Sequence, residues 1–565
     1  MILPDEELNK LIRQWTLLNA IEHGGEAATG AIIGKIVAEK PELKSDIQEL
    51  KGKVNEIVSE VNEIDLEEQK TELEEIGAPE REEKEEGGLK ELPETERYSN
   101  IVTRFAPNPN GPLHLGHVRT AVLSYEYAER NDGDFILRFE DTNPIDAEEI
   151  FYDMVREDLD WLGLDWSEEY IQSDRIDMYY EHLERLLDDE NAYVCDCEPE
   201  KFKGLRDDEK PCPCRGLSSE ENFERWEKMK NGGYEEGEAA VRIKTDIEHE
   251  NPALRDWPAL RIVDATHPKT GDEYRVWPLY NFSVTIDDHR MGVTHVVRGK
   301  EHEINERKQR QLFKHLGWEY PTAIQHGRLS VSGTVLSKTR ISEGINEGKF
   351  DGFDDVRLGT IRAVRRRGIT PEALREIVLD VGTTKADSTL SMDTLYTKNR
   401  RVIDEEANRF FFVKDPEELL ISNPPEEEEV SLRLHPDDLE RGDRNLPLEF
   451  EDGFLKVWLS KDDLQDADVG DIIRLKDFFN FELVSKEPLK AEFEGYELKD
   501  GPKIQWVSKD PLETEVLKPD GTIEEGYSEP EVSNLGLGDV VQFERYGFVR
   551  IDDKDSVIRA VYTHS

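Results

Sequence analysis

The chain has 565 residues, with 127 Asp and Glu against 73 Lys and Arg, a formal net charge of -54 and 36% hydrophobic residues. No apolar run reaches the roughly 18 residues of a membrane-spanning helix, the N-terminus lacks the basic and apolar regions of a signal peptide, and four cysteines are too few for a disulfide framework, so a cytoplasmic protein is expected. Bulk charge of this sign argues against a nucleic-acid partner.

Residues 1–64 read as a helical N-terminal extension. Leu43, Ile47, Leu50, Val54, Ile57, Val58, Val61 and Ile64 recur at three- and four-residue steps, an amphipathic stripe. Residues 65–96 are dense in acid and carry Gly87 and Gly88, which reads as a linker. From Arg97 the pattern changes to a strand (Ile101–Phe105), a Pro/Gly-rich turn, a helix from about His114 and a second strand (Phe135–Phe139). Strands alternating with helices predict a parallel α/β sheet. Beyond residue 400 five alternating runs, Gly453–Leu459, Asp471–Leu475, Phe478–Val484, Val540–Phe543 and Gly547–Ile551, predict β-barrels. Elsewhere the acid is scattered over nearly every segment, as on a solvated surface. Its self-repulsion fades at molar salt, where the Debye length is about 3 Å, so the composition reads as halophilic.

The turn at 104–117 reads Arg-Phe-Ala-Pro-Asn-Pro-Asn-Gly-Pro-Leu-His-Leu-Gly-His. A helix N-terminus offers free N–H groups and the positive end of a dipole, a natural anion site. His114 and His117 fall on one face of the first turn, and Gly116 leaves room for a flat base. His-x-Gly-His alone would be weak, and two capping histidines would be its default reading. In its surroundings the segment resembles the first signature of class I aminoacyl-tRNA synthetases, glutamyl/glutaminyl branch. The second signature of that family, a mobile lysine loop, is matched some 200 residues on by Leu329-Ser-Val-Ser-Gly-Thr-Val-Leu-Ser-Lys-Thr-Arg340, with Gly333 as hinge.

The resemblance covers most of residues 97–565, including Gln542-Phe-Glu-Arg-Tyr-Gly547. It implies a Rossmann catalytic domain split into 97–175 and 276–350, an inserted acceptor-stem-binding domain at 176–275, a helical stem-contact region at 351–400 and β-barrel anticodon-binding domains at 401–565. It implies ATP with Mg²⁺: His114 and His117 on the phosphates, Lys338 on the departing pyrophosphate, and Pro107, Asn108, Gly116 and Ser337 around the nucleotide. Arg104, Glu140 and Tyr280 match the amino-acid pocket. Arg298 matches a position where glutaminyl members lack arginine, so L-glutamate is the implied substrate and glutamine the alternative. The acceptor implied is tRNA(Glu), with tRNA(Gln) a second candidate. A barrel C-terminus resembles archaeal members of the branch, whose N-terminal extension is either a protein-docking module or an appendage. A nucleotidyltransferase with the same first signature would not need barrels after residue 400. A non-catalytic tRNA-binding scaffold would not need His114, His117 and Lys338.

All four cysteines fall within twenty residues, as Cys195-Asp-Cys197 and Cys212-Pro-Cys214. Two close pairs suit a closed tetrahedral zinc site, with two disulfides the alternative. Arg362, Arg365, Arg366 and Arg367 are the densest basic cluster, and in so acidic a chain they are expected to face tRNA backbone.

Overall fold

Apolar residues at three- and four-residue steps build four helices at the start of the chain: α1 (Asp5–Glu22), α2 (Thr29–Glu39), α3 (Ile47–Asn62) and α4 (Leu66–Ile76). Ile12, Leu17, Ile32, Ile36, Val54 and Val61 form their core. The structure is a computed structural model describing residues 5–22, 25–39, 47–77, 79, 88–331, 335 and 337–565. It divides into two units, Met1–Glu86 and Gly87–Ser565. Leu43, Gly87 and Gly333 lie outside the described residues. The sequence reading begins the acidic linker at Asp65, but α4 occupies that stretch. Leu66, Gln69, Leu73 and Ile76 make its inward stripe, and buried Gln69 donates to the carbonyls of Gly25 and Val61. A glutamine in the stripe hid the period. Asp65 caps α4, accepting from the N–H groups of Glu67 and Glu68.

The second unit opens with three parallel strands, β1 (Val102–Phe105), β2 (Asp134–Phe139) and β3 (Glu168–Ile171), joined through α5 (Leu115–Glu129) and α6 (Glu149–Trp161). β1 and β2 are buried almost throughout, as strands covered on both faces must be. Next come α7 (Ile176–Asp188) and an antiparallel sheet of β4 (Ala192–Cys195), β5 (Ala240–Ile243), β6 (Pro258–Ile262) and β7 (Val276–Pro278), with helices α8 (Pro199–Asp207) and α9 (Ser219–Lys230) between its strands. Trp226 and Trp277 are fully buried in its core. The last strand of this sheet, Val276–Pro278, lies wholly beyond residue 275, the boundary expected for the insertion.

After α10 (Tyr280–Arg290) the chain returns to the parallel layer with β8 (His295–Gly299), α11 (Glu303–Leu316) and β9 (Thr322–His326). Thr294, just before β8, bonds the main chain of Val102 through its own N–H and hydroxyl, which sets β8 beside β1. A further parallel pair, β10 (Leu329–Val331) with β11 (Ser388–Leu390), encloses α12 (Lys338–Asn346), α13 (Ile361–Arg366) and α14 (Pro371–Val381), and α15 (Met392–Ile403) follows.

Residues 409–564 form two seven-stranded sheets, each mostly antiparallel, together with a two-stranded pair. Alternation was the right signal: Phe454–Ser460 buries every second residue. The strand expected to begin at Phe478 begins at Asn480, because Asp477 takes a left-handed φ of 58° and turns the chain first. No described helix is long and apolar enough to cross a membrane.

Candidate active site

The C-terminal ends of β1, β2 and β8 and the first turn of α5 enclose a cavity of about 500 Å³. Ligands settle at such strand ends in parallel α/β sheets. His114 is the N-cap of α5, its Nδ1 accepting from the Gly116 N–H at 3.1 Å, while its own N–H donates to His117 Nδ1 at 3.3 Å. The rings stack with centroids 3.7 Å apart. The histidines are therefore caps and cavity residues at once. With both Nδ1 atoms accepting, each neutral ring carries its proton on Nε2. Burial pushes His114 below its ordinary pKa; burial and then the neighbouring ring push His117 to about 3.

This corrects the expectation of free N–H groups at the helix start. Leu115 N–H donates to the Gly359 carbonyl, Gly116 to His114 Nδ1 and His117 to the His114 carbonyl. What remains for an anion is the two imidazoles and the dipole. Gly116 is needed for a reason the sequence did not show. A Cβ there would sit 2.9 Å from His114 Cε1, so the missing side chain makes room for the capping ring itself. The lowered His117 pKa also carries a stability prediction. The unfolded chain takes up a proton near pH 6.5 that the folded chain refuses down to about pH 3. This share of stability is complete above pH 6.5 and is lost as pH falls through that window. Urea midpoints should fall accordingly, and less steeply for His117→Gln.

Buried ion pairs hold the floor of the cavity. Asp288 Oδ1 takes Arg138 Nη1 at 2.7 Å and Arg104 Nε at 3.3 Å, and Arg138 Nη2 holds Glu140 at 2.9 Å. Burial raises the Asp288 pKa, but Arg104 and Arg138 outweigh it and keep the carboxyl below its usual range. Burial wins at Glu140, whose pKa is raised. Tyr280, pushed up to about 12 mainly by burial, has its hydroxyl 3.4 Å from His302 Nδ1. Arg298 is 4% exposed: Nη1 donates to Gln309 at 2.9 Å, Nη2 to Tyr320 at 2.7 Å, and Nε has no partner.

Arg104, Pro107, Asn108, His114, Gly116, His117, Glu140, Tyr280 and Arg298 all line this one cavity. Ser337 and Lys338 do not. Lys338 opens α12, with Nζ 6.0 Å from the Phe151 ring centroid. The sequence reading missed Arg138, Asp288, His302 and His326. Asp288 is an acid on a wholly buried helix turn, a signal visible only once α10 is placed. His326 accepts from Thr120 through Nε2 at 3.0 Å and donates from Nδ1 to the Gly327 carbonyl at 2.9 Å.

Cys195 ends β4, and Cys212 precedes and Cys214 lies within a short turn (Pro213–Gly216) facing it. Cys195 Sγ lies 3.9 Å from Cys212 Sγ and Cys197 Sγ 3.6 Å from Cys214 Sγ, and all four thiols are free and within 4.8 Å of one another. The arginine cluster is corrected. Arg362 pairs with Glu157 and Asp158, and Arg366 with Asp552 at 2.7 Å; Arg367 is buried against the Tyr396 hydroxyl. Only Arg365 of the four is exposed. Three of these arginines tie α13 to neighbouring elements.

The catalytic domain of tRNA synthetases class I (E and Q) matches residues 100–405. Two anticodon-binding domains of the same class match residues 407–498 and 485–552. The glutamate–tRNA ligase of Pyrococcus furiosus is 50% identical over 578 residues, covering 99% of this chain and 100% of its own. That of Methanopyrus kandleri is 46% identical over 572 residues, covering 100% of both. A solved glutamate tRNA ligase from Elizabethkingia meningosepticum, in complex with its amino acid, aligns with a TM-score of 0.41 at 24% identity over 55% of this chain and 71% of its own.

Proposed function

Since the chain belongs to the class I tRNA synthetases of the glutamate and glutamine branch, we propose that its cavity activates L-glutamate with ATP and passes it to the 3′ end of tRNA(Glu). The observation that carries the choice of amino acid is Arg298, a guanidinium 4% exposed in the cavity wall.

The amino acid fits between two charged ends. Glu140 takes the α-ammonium, while Arg104, Tyr280 and Arg298 offer donors to carboxylate. An α-carboxylate oxygen attacks the α-phosphorus of ATP. The new bond forms as the bond to pyrophosphate breaks, giving glutamyl-adenylate. The Nε2–H groups of His114 and His117 donate to phosphate oxygens as charge shifts onto them. Lys338 comes to the departing pyrophosphate only if the start of α12 approaches the nucleotide. Pro107, Asn108 and Gly116 line the nucleotide side, with Ser337 arriving beside Lys338. A terminal 2′-hydroxyl of tRNA then attacks the acyl carbon and AMP leaves. Among the described residues the four cysteines are the only group of three or more metal donors; Mg²⁺ bound with ATP would neutralise charge on the phosphates as it shifts. Glutamate-dependent ATP–pyrophosphate exchange with tRNA present tests the reading. We expect His117→Ala to lower it about 10²-fold at unchanged fold, and full exchange by that variant would refute the assignment.

The sulfur spacings fit a tetrahedral zinc, for which Zn–S bonds of about 2.3 Å require S···S edges near 3.8 Å. Zinc held by Cys195, Cys197, Cys212 and Cys214 would have no open position and would pin the turn at 212–216 to β4, a structural role. One zinc per chain is expected by metal analysis. Stripping it should lower the melting temperature of the inserted domain, and a fully metal-free preparation with unchanged melting would contradict the site. The surface acid suits molar salt. Thermal stability should rise from dilute buffer to 2 M KCl, and a flat response would assign the acid another purpose.

A further inference from the structure

Behind the cavity wall runs a chain of side-chain amides whose direction is set at one end. The Arg298 guanidinium has donors and no acceptor. Gln309, 1% exposed, must therefore turn its oxygen to Arg298 Nη1, and that oxygen also accepts from the Tyr320 hydroxyl at 3.1 Å. The Gln309 NH₂ is left facing Asn281 Oδ1 at 3.4 Å. Asn281 in turn gives its NH₂ to Asn305 Oδ1 at 3.1 Å, and Asn305 gives its NH₂ to His302 Nδ1 at 3.1 Å. Every link points the same way, from Gln309 toward His302, and reversing any one of them sets two donors or two acceptors face to face.

We propose that Gln309, Asn281 and Asn305 form a one-way hydrogen-bond relay that fixes His302 as the neutral Nε2–H tautomer, so that His302 adds an Nε2–H donor to those that Arg298 and Tyr280 offer the substrate. An imidazole accepting at Nδ1 keeps its proton on Nε2, and the His302 ring lines the cavity. Nδ1 has a single lone pair. Asn305 lies closer to it than the Tyr280 hydroxyl, at 3.1 Å against 3.4 Å, so the Tyr280 proton is left for the cavity. Burial, and then the positive charges of Arg298 and Arg104, also lower the His302 pKa. A carboxylate is satisfied by donors alone. A carboxamide brings an NH₂ that meets a donor, not an acceptor, at His302. The relay thus makes Asn305, which lines no part of the cavity, a positioning residue for glutamate over glutamine, and this rests on the glutamate reading above.

The test is Asn305→Asp. Position 305 is in the first turn of α11, where an acid is favourable, so the fold is retained. An aspartate accepts where Asn305 donated and draws the His302 proton to Nδ1. With ¹⁵N-labelled histidine, and His302 identified by its loss in His302→Gln, the unaltered enzyme should show an unprotonated Nδ1 and a protonated Nε2 at pH 7. Asn305→Asp should move the proton to Nδ1. It should raise KM for glutamate about tenfold at near-constant kcat and KM for ATP, and lower the charging ratio of glutamate over glutamine about tenfold. A His302 already protonated on Nδ1 in the unaltered enzyme overturns the relay. So does an Asn305→Asp enzyme with unchanged tautomer and unchanged KM. The expected spectrum in an enzyme that charges no glutamate would support the relay and refute the glutamate reading.

Discussion

Replacing Arg298 by glutamine should lower kcat/KM for glutamate by about 10²- to 10³-fold while leaving the melting temperature within a few degrees. Truncating one partner of a buried, hydrogen-bonded charge pair costs about 2–5 kcal/mol, because the other charge stays desolvated. In this variant the stranded charge belongs to the substrate. The variant loses the Arg298 bonds to Gln309, Tyr320 and Glu306 (the last at 3.5 Å), but each partner keeps another: Glu306 retains Arg310 at 2.8 Å and Gln325 at 2.8 Å, and the Tyr320 hydroxyl still reaches Gln309 at 3.1 Å. A fall in activity without a fall in stability is the signature of a binding arginine. Equal losses of both would reassign Arg298 to a structural role. Because Arg298→Gln brings an amide oxygen to the wall, the ratio of glutamine to glutamate used should rise.

Removing Asp288 should have the largest effect on stability. Its Oδ1 is shared by Arg104 and Arg138, and Arg138 is fully buried with no hydrogen bond at Nε. Asp288→Ala leaves Arg138 with Glu140 and a distant Asp287 at 3.9 Å. Breaking a buried pair from one side costs about 3–5 kcal/mol, since an uncompensated charge remains. The loss should appear as a lower urea midpoint for the catalytic-domain transition. Activity should fall with it, because Arg104 loses the contact that aims it. Asp288→Asn keeps an acceptor oxygen and should lose less of both. Equal stability of Asp288→Ala and the unaltered chain would show that the arginines are solvated.

The chemistry-bearing residues were legible wherever composition and spacing left few alternatives. His114, Gly116 and His117 announced a site because a Pro/Gly-rich turn delivers them to a helix start, and four cysteines in two close pairs announced a cluster. What each group bonds to was not legible, because the partners come from far along the chain. The main-chain N–H groups that were to bind phosphate are taken by Gly359 and by the histidines themselves. The arginines at 362, 366 and 367 read as a basic patch because Glu157, Asp158 and Asp552 are distant in sequence. Glutamine at position 69 concealed a helix inside an acidic run. In the C-terminal region the alternation gave away the strands but not their order. The chain enters one sheet at residues 409–414, leaves to build the other, and returns at residue 512. Nothing local encodes that return. The net charge of -54 misled in the same way, since it describes the whole surface and not the cavity, where three of the charged liners are Arg104, Arg298 and Arg328.

The most direct test is aminoacylation of tRNA(Glu) with labelled glutamate or glutamine, at molar KCl and with ATP and Mg²⁺ supplied. The account predicts glutamate on the 3′ end of tRNA(Glu), with glutamine charged at least 10²-fold less efficiently and glutamate charging largely lost in Arg298→Gln. Glutamine charged as well as glutamate, or no charging of tRNA by either amino acid, would contradict it.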